Sequence, residues 1–230
     1  MGYTKQEIIN RLKEIEDISE LYTNDMINYG GDTKDTKEKY TEVITQEILR
    51  DCKRYNFDNI KQIERKIGYK IVTHNGEFNK KSNRREEIIA MKMFRKNYKD
   101  LGEILDYQIP LKASKGTKAG KVDLISYKKA ENTLYLIELK NDRSKESLLR
   151  CALEIITYSK QIDKEKLKTD FGLEKNTNIK LAILIFKDTK PYYDLDDKHV
   201  NKLINKFDID VFVAEKAFSI EKRGNIAEKE

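Results

Sequence analysis

The chain has 230 residues, 38% hydrophobic and 37% charged, enough apolar material for one ordinary core beneath a highly charged surface. No apolar run approaches the ~20 residues of a membrane-spanning helix, and two isolated cysteines, Cys52 and Cys151, supply neither a disulfide framework nor zinc-ligand spacing. A net charge of +6 suits a polyanionic partner, although 36 lysines against 10 arginines is also what a compositional bias without functional content produces.

The N-terminal stretch "MGYTKQEIINRLKE" is polar and lacks a signal-peptide apolar region. Gln6 stands where a myristoylation motif wants Ser or Thr, so the expectation is a cytoplasmic protein without a membrane partner. Residues 4–22 carry Ile8, Leu12, Ile15 and Ile18 at helical spacing behind a Thr4–Glu7 capping box. Gly30 and Gly31 break this helix; a second is expected over 37–57 and a third over 58–68, with a polar connector at 74–83. Residues 1–80 thus read as a helical N-terminal segment, and 81–230 as a separate unit.

From residue 84 the pattern changes. An amphipathic helix is expected over 84–98, then strands at 104–112, 121–128 and 133–140. A strong helix at 144–162 leads to a continuously apolar strand at 179–187, of the kind found in sheet centres. A last helix at 199–207 and a strand at 209–214 complete the order. The strand–helix–strand unit from 133 to 187 makes its two strands parallel, and the fold class is α/β with a mixed central sheet.

With only His74 and His199 available, carboxylates and lysines lead the search for chemistry. In "LYLIELKN" (134–141), Leu134, Leu136, Glu138 and Lys140 share one face of a strand. Asp123 lies near the start of the preceding strand, and an antiparallel hairpin places it beside Glu138 and Lys140. Two carboxylates so close repel each other unless a cation relieves them, and a hard divalent ion such as Mg²⁺ is the simplest relief. The bland alternative is a strand end bearing solvated charges. The loop sequence "GTKAGK" fails as a phosphate-binding loop, having three residues between its glycines and Val after the lysine.

"VD" at 122–123, fourteen residues, then "ELK" at 138–140 resembles the bipartite signature of the PD-(D/E)XK nucleases, with Val122 in place of the motif proline. The order of helix, three strands, helix and strand from about 84 to 187 resembles the αβββαβ core of that restriction-endonuclease-like fold. The resemblance implies a metal-dependent nuclease acting on nucleic acid, DNA rather than RNA, with Mg²⁺ or Mn²⁺ as cofactor. It implies Asp123, Glu138 and the Leu139 carbonyl as metal ligands and Lys140 as the residue that positions the attacking water. It also implies an acid from the first helix: Glu87 is the choice, stacked with Met91, Phe94 and Tyr98, with Glu86 as substitute. Lys112, Lys115, Lys118 and Lys121 precede Asp123 and are candidate phosphate contacts, as is Arg150 on the following helix, which shares a face with Glu154, Tyr158 and Gln161. A homodimer is left open. The rival reading is a catalytically inactive nucleic-acid-binding or assembly protein on the same fold.

Overall fold

A computed structural model describes residues 2–78, 83–111, 120–215 and 219–223. These form a mixed α/β architecture around a seven-stranded sheet whose spatial order follows the sequence. The strands are β1 (Asn97–Tyr98), β2 (Gly102–Pro110), β3 (Lys121–Lys128), β4 (Thr133–Leu139), β5 (Asn178–Phe186), β6 (Ile209–Ala214) and β7 (Ile220–Arg223). β1 through β4 pair antiparallel, β4, β5 and β6 run parallel, and β7 returns antiparallel. The helices are α1 (Lys5–Lys13), α2 (Tyr40–Arg50), α3 (Arg85–Met93), α4 (Leu148–Gln161), α5 (Lys164–Asp170), α6 (Lys190–Tyr193) and α7 (Lys198–Lys206).

The hairpin that matters most is β3–β4. It turns through a short 3₁₀ segment ending at Asn132, whose φ of 44° is a left-handed conformation that asparagine tolerates. Its register, Leu124 opposite Ile137, brings the start of β3 to the end of β4. Gly102 opens β2 at φ 76°, and a Cβ there would lie 2.2 Å from the Tyr127 carbonyl oxygen, so only glycine lets the two strands approach.

β4 is buried on both faces, as a strand with parallel and helical neighbours must be. Leu134 and Leu136 join a large core with residues of α1, α2, α4 and α7. Tyr135, Ile137 and Leu139 face a smaller core capped by α3. Ile8, Val43 and Ile44 of the N-terminal segment share the larger core with Leu148, Ile155 and Leu203, so chain on either side of residue 80 packs into one apolar interior. Among the described residues no helix is long and apolar enough to cross a membrane.

Several local expectations change. The capping box at Thr4 forms, but α1 stops at Lys13 and a 3₁₀ turn, Ile18–Thr23, replaces its second half. No third helix forms over 58–68. There the Ile63 N–H donates to the Gln161 carbonyl, Arg65 donates to the Gly68 carbonyl, and the Tyr69 N–H donates to Asp170, so tertiary partners outcompete the helical ladder. α3 ends at Met93 instead of 98, because Arg95 adopts a left-handed φ of 59° and its N–H turns to the Ile104 carbonyl. Tyr98, expected to stack with Glu87 on that helix, lies in β1. α5, α6 and β7 carried no anticipated signal.

Candidate active site

Asp123, Glu138 and Lys140 come together where β3 begins and β4 ends. Alternation along β4 puts Glu138 and Lys140 on the face of Leu134 and Leu136, and Lys140 reaches Glu154 of α4 from there. Lys140 Nζ lies 2.6 Å from Glu138 Oε1, 2.7 Å from Glu146 Oε2 and 3.4 Å from Glu154 Oε2. Glu138 is 2% exposed and Lys140 5%. Asp123, half-buried, accepts a hydrogen bond from the Leu139 N–H at 2.9 Å and one from Gln108 Nε2 at 2.7 Å, so neighbours on both sides fix its carboxylate.

α4 adds a second tier. Its N-terminus is capped by Ser147, whose hydroxyl accepts from the Arg150 N–H. One face then presents Glu154 to Lys140 and Tyr158 to Glu154, with the Tyr158 hydroxyl donating to Glu154 Oε1 at 2.8 Å. Tyr22 of the N-terminal segment packs edge-on against Tyr158 at 5.6 Å between centroids. Gly120 lies flat against the same ring: a Cβ there would sit 2.0 Å from the Tyr158 hydroxyl.

The charge balance is uneven. Burial pushes the Asp123 carboxyl up to about 7, against the opposing pull of Lys140 and the Leu139 N–H. Burial, with the nearby Asp123 and Glu154 charges, pushes Glu138 well above the ordinary carboxylate range. Burial alone would lower the Lys140 ammonium, but Glu138 and Glu154 outweigh it and hold Lys140 protonated well beyond its usual range. Burial also raises the Tyr158 hydroxyl and the Cys151 thiol, which keeps both neutral. One lysine therefore serves several acids, and Glu138 Oε2 is buried with no hydrogen-bond partner among the described residues.

An unpartnered carboxylate oxygen beside a second half-buried carboxyl fits a small hard cation. Among the described residues no group of three or more His, Cys, Asp or Glu side chains is arranged to hold a metal. A pair is nevertheless the set that Mg²⁺ uses when water and substrate phosphate complete its shell.

The other expected residues divide. Glu86, not Glu87, reaches this end of the sheet: its Oε1 accepts from Asn141 Nδ2 at 2.9 Å and from the Asn141 N–H at 3.3 Å. Glu87 instead pairs with Arg84 at 3.3 Å on the surface. Arg150 is half-buried with its Nε 3.7 Å from Glu146, so it belongs to the acidic cluster more than to an open surface. Lys121 is exposed at the start of β3, while Lys112, Lys115 and Lys118 lie outside the described residues. Gln108 and Glu146 escaped the sequence reading. Gln108 could have been found from the β2–β3 register, but the irregularity between Ile104 and Asp106 shifts that register unpredictably. Glu146 falls inside the helix expected over 144–162, but α4 starts only at Leu148, so helical spacing misplaces it.

Compared with protein-family models, curated proteins and solved structures, the chain matches none.

Proposed function

We propose that the protein is a metal-dependent nuclease that hydrolyses phosphodiester bonds in nucleic acid, DNA in particular. The observation that carries this reading is the buried Glu138 beside half-buried Asp123, with an unpartnered Glu138 oxygen and Lys140 at 2.6 Å. The order of α3, the antiparallel strands β2, β3 and β4, α4 and the parallel β5 supports it, the two-residue β1 and the short α5 being additions to the order of the PD-(D/E)XK core that "VD…ELK" resembles.

Asp123 and Glu138 would hold the ion, with the carbonyl of Leu139, next to Glu138 in sequence, as a further ligand. When bound, such an ion polarises a phosphate oxygen and lowers the pKa of a coordinated water. Gln108 and the Leu139 N–H keep Asp123 in place without consuming all its lone pairs. Lys140, held protonated, suits stabilising the charge that grows on the phosphate and orienting the water, not removing its proton. Glu154, itself fixed by Tyr158, holds the ammonium in position.

A second reading is a nucleic-acid-binding protein without catalysis. It is favoured by one observation: Lys140 is fully engaged by Glu138, Glu146 and Glu154. Incubation with supercoiled plasmid, linear duplex and single-stranded DNA in Mg²⁺, Mn²⁺ or EDTA separates the two. The nuclease reading expects cleavage only with metal and its loss in Asp123→Ala and Lys140→Ala. Undiminished cleavage by Lys140→Ala would sink the mechanism, and binding without cleavage of any substrate would favour the second reading.

A further inference from the structure

A second constructed cleft lies at the outer edge of β2, and it does not depend on the nuclease reading. At its base is Asp106, only 1% exposed. Its Oδ2 accepts from the Ile71 N–H at 2.9 Å, and its Oδ1 accepts from its neighbour's Tyr107 N–H at 2.9 Å and from His74 Nδ1 at 2.6 Å. A carboxylate already accepting two backbone N–H groups takes a third donor, which fixes the His74 proton on Nδ1 and leaves Nε2 for something else. The imidazole is locked from a second direction, stacked on Tyr107 at 4.0 Å and 11° between planes.

The same aromatic ladder carries a cation. Phe94 meets Tyr107 edge-on at 5.3 Å, and the Arg95 guanidinium lies over Phe94 at 4.9 Å. Arg95 is set there by its left-handed backbone, pinned by the Arg95 N–H to the Ile104 carbonyl and the Ile104 N–H to the Lys96 carbonyl, both 2.9 Å. Lys70 lines the opposite wall. Neither Lys70 nor Arg95 has an ion-pair partner among the described residues. Phe171 and Glu103 complete a cleft of about 330 Å³, Glu103 being its one exposed acid.

We propose that this cleft binds a phosphate-type oxyanion, held by His74 Nε2 and the Lys70 and Arg95 side chains. As an imidazolium the ring can donate from Nδ1 to Asp106 and from Nε2 to an oxyanion at the same time. The cleft has room for an organic phosphate as well as a free ion. The same β2 strand supplies Gln108 to Asp123 two residues on from Asp106, so both sites draw on one strand.

The chain has two histidines, which makes ring ¹H–¹⁵N NMR a direct probe with His199 as internal control. Inorganic phosphate is titrated into the full chain in EDTA, against chloride at matched ionic strength. The expected result is a saturable movement of the His74 ring signals with His199 still, weakened about tenfold or more in Lys70→Gln/Arg95→Gln, two exposed positions whose loss leaves the core intact. Short oligonucleotides with and without a 5′-phosphate then identify the source: response to the phosphorylated form alone marks a terminal phosphate, equal response marks backbone phosphodiesters. The proposal is overturned if His74 does not respond to any of these, if it moves in step with His199, or if the double variant titrates like the parent.

Discussion

Asp106 on β2 and Glu138 on β4 are both almost withdrawn from water, at 1% and 2% exposure, and both sit beside a basic side chain. Their surroundings differ in one respect. Asp106 has every demand met: two backbone N–H groups and an imidazole N–H converge on it. Glu138 has one lysine that it shares with two other glutamates, and an oxygen with no donor among the described residues. A satisfied buried carboxylate holds its neighbours in place, and what it serves is the group it orients, here His74. An unsatisfied one beside a second acid costs the fold free energy, and a site that retains it has a use for a cation arriving from outside. This contrast is why we propose a positioning role for Asp106 and cation capture for the Asp123–Glu138 pair.

The largest expected effect breaks the ligand-capture side. If DNA cleavage is observed, Asp123→Ala, Glu138→Ala and Lys140→Ala should each lower its rate by about 10²–10³-fold in single-turnover assays. Next comes the positioning side. Asp106→Ala strands three donors and should cost on the order of 3 kcal/mol in urea unfolding, without abolishing metal binding.

The acidic pair should behave in the opposite sense. Asp123 has a folded-state pKa of about 7, above its unfolded value, so the folded chain binds more protons between roughly pH 4 and 7 and loses stability as pH rises through that window. In EDTA, Asp123→Asn should therefore be more stable than the parent at pH 8, by on the order of 2 kcal/mol, with the gain vanishing near pH 4, and Glu138→Gln should shift stability in the same direction. Unfolding midpoints compared at the two pH values check this. Asn can keep both contacts, its oxygen accepting from the Leu139 N–H and its amide facing a turned Gln108. The smallest effect concerns Lys121. Lys121→Ala should weaken duplex binding only about twofold and lower the salt slope by about one, read by fluorescence anisotropy across salt concentrations.

How much of this was legible in the sequence follows the same division. β3, β4, α4 and β5 announce themselves because period-two and period-3.6 apolar patterns are long there, and β4 could be seen to deliver Glu138 and Lys140 to one face. The acid from α3 was not legible: Glu86 and Glu87 flank the apolar stripe at opposite edges, and the choice depends on Asn141, which lies on the far side of the sheet in sequence. Residues 58–68 read as helix because the local pattern permits it, while bonds to Gln161 and Asp170 decide otherwise. His74 read as a surface residue because nothing near it in sequence reveals that Asp106, thirty-two positions on, would be buried beneath it.

The central claim is that Asp123 and Glu138 together form a divalent-cation site. Calorimetric titration of Mn²⁺ into metal-free protein near pH 7 tests it most directly, in two buffers of different ionisation enthalpy. The account predicts binding of about one ion with release of protons, since the Asp123 carboxyl, pushed up to about 7, is partly protonated until the cation displaces its proton, and loss of that binding in Glu138→Gln and Asp123→Asn. Binding by Glu138→Gln with unchanged affinity and stoichiometry, or no binding by the parent chain, would contradict it.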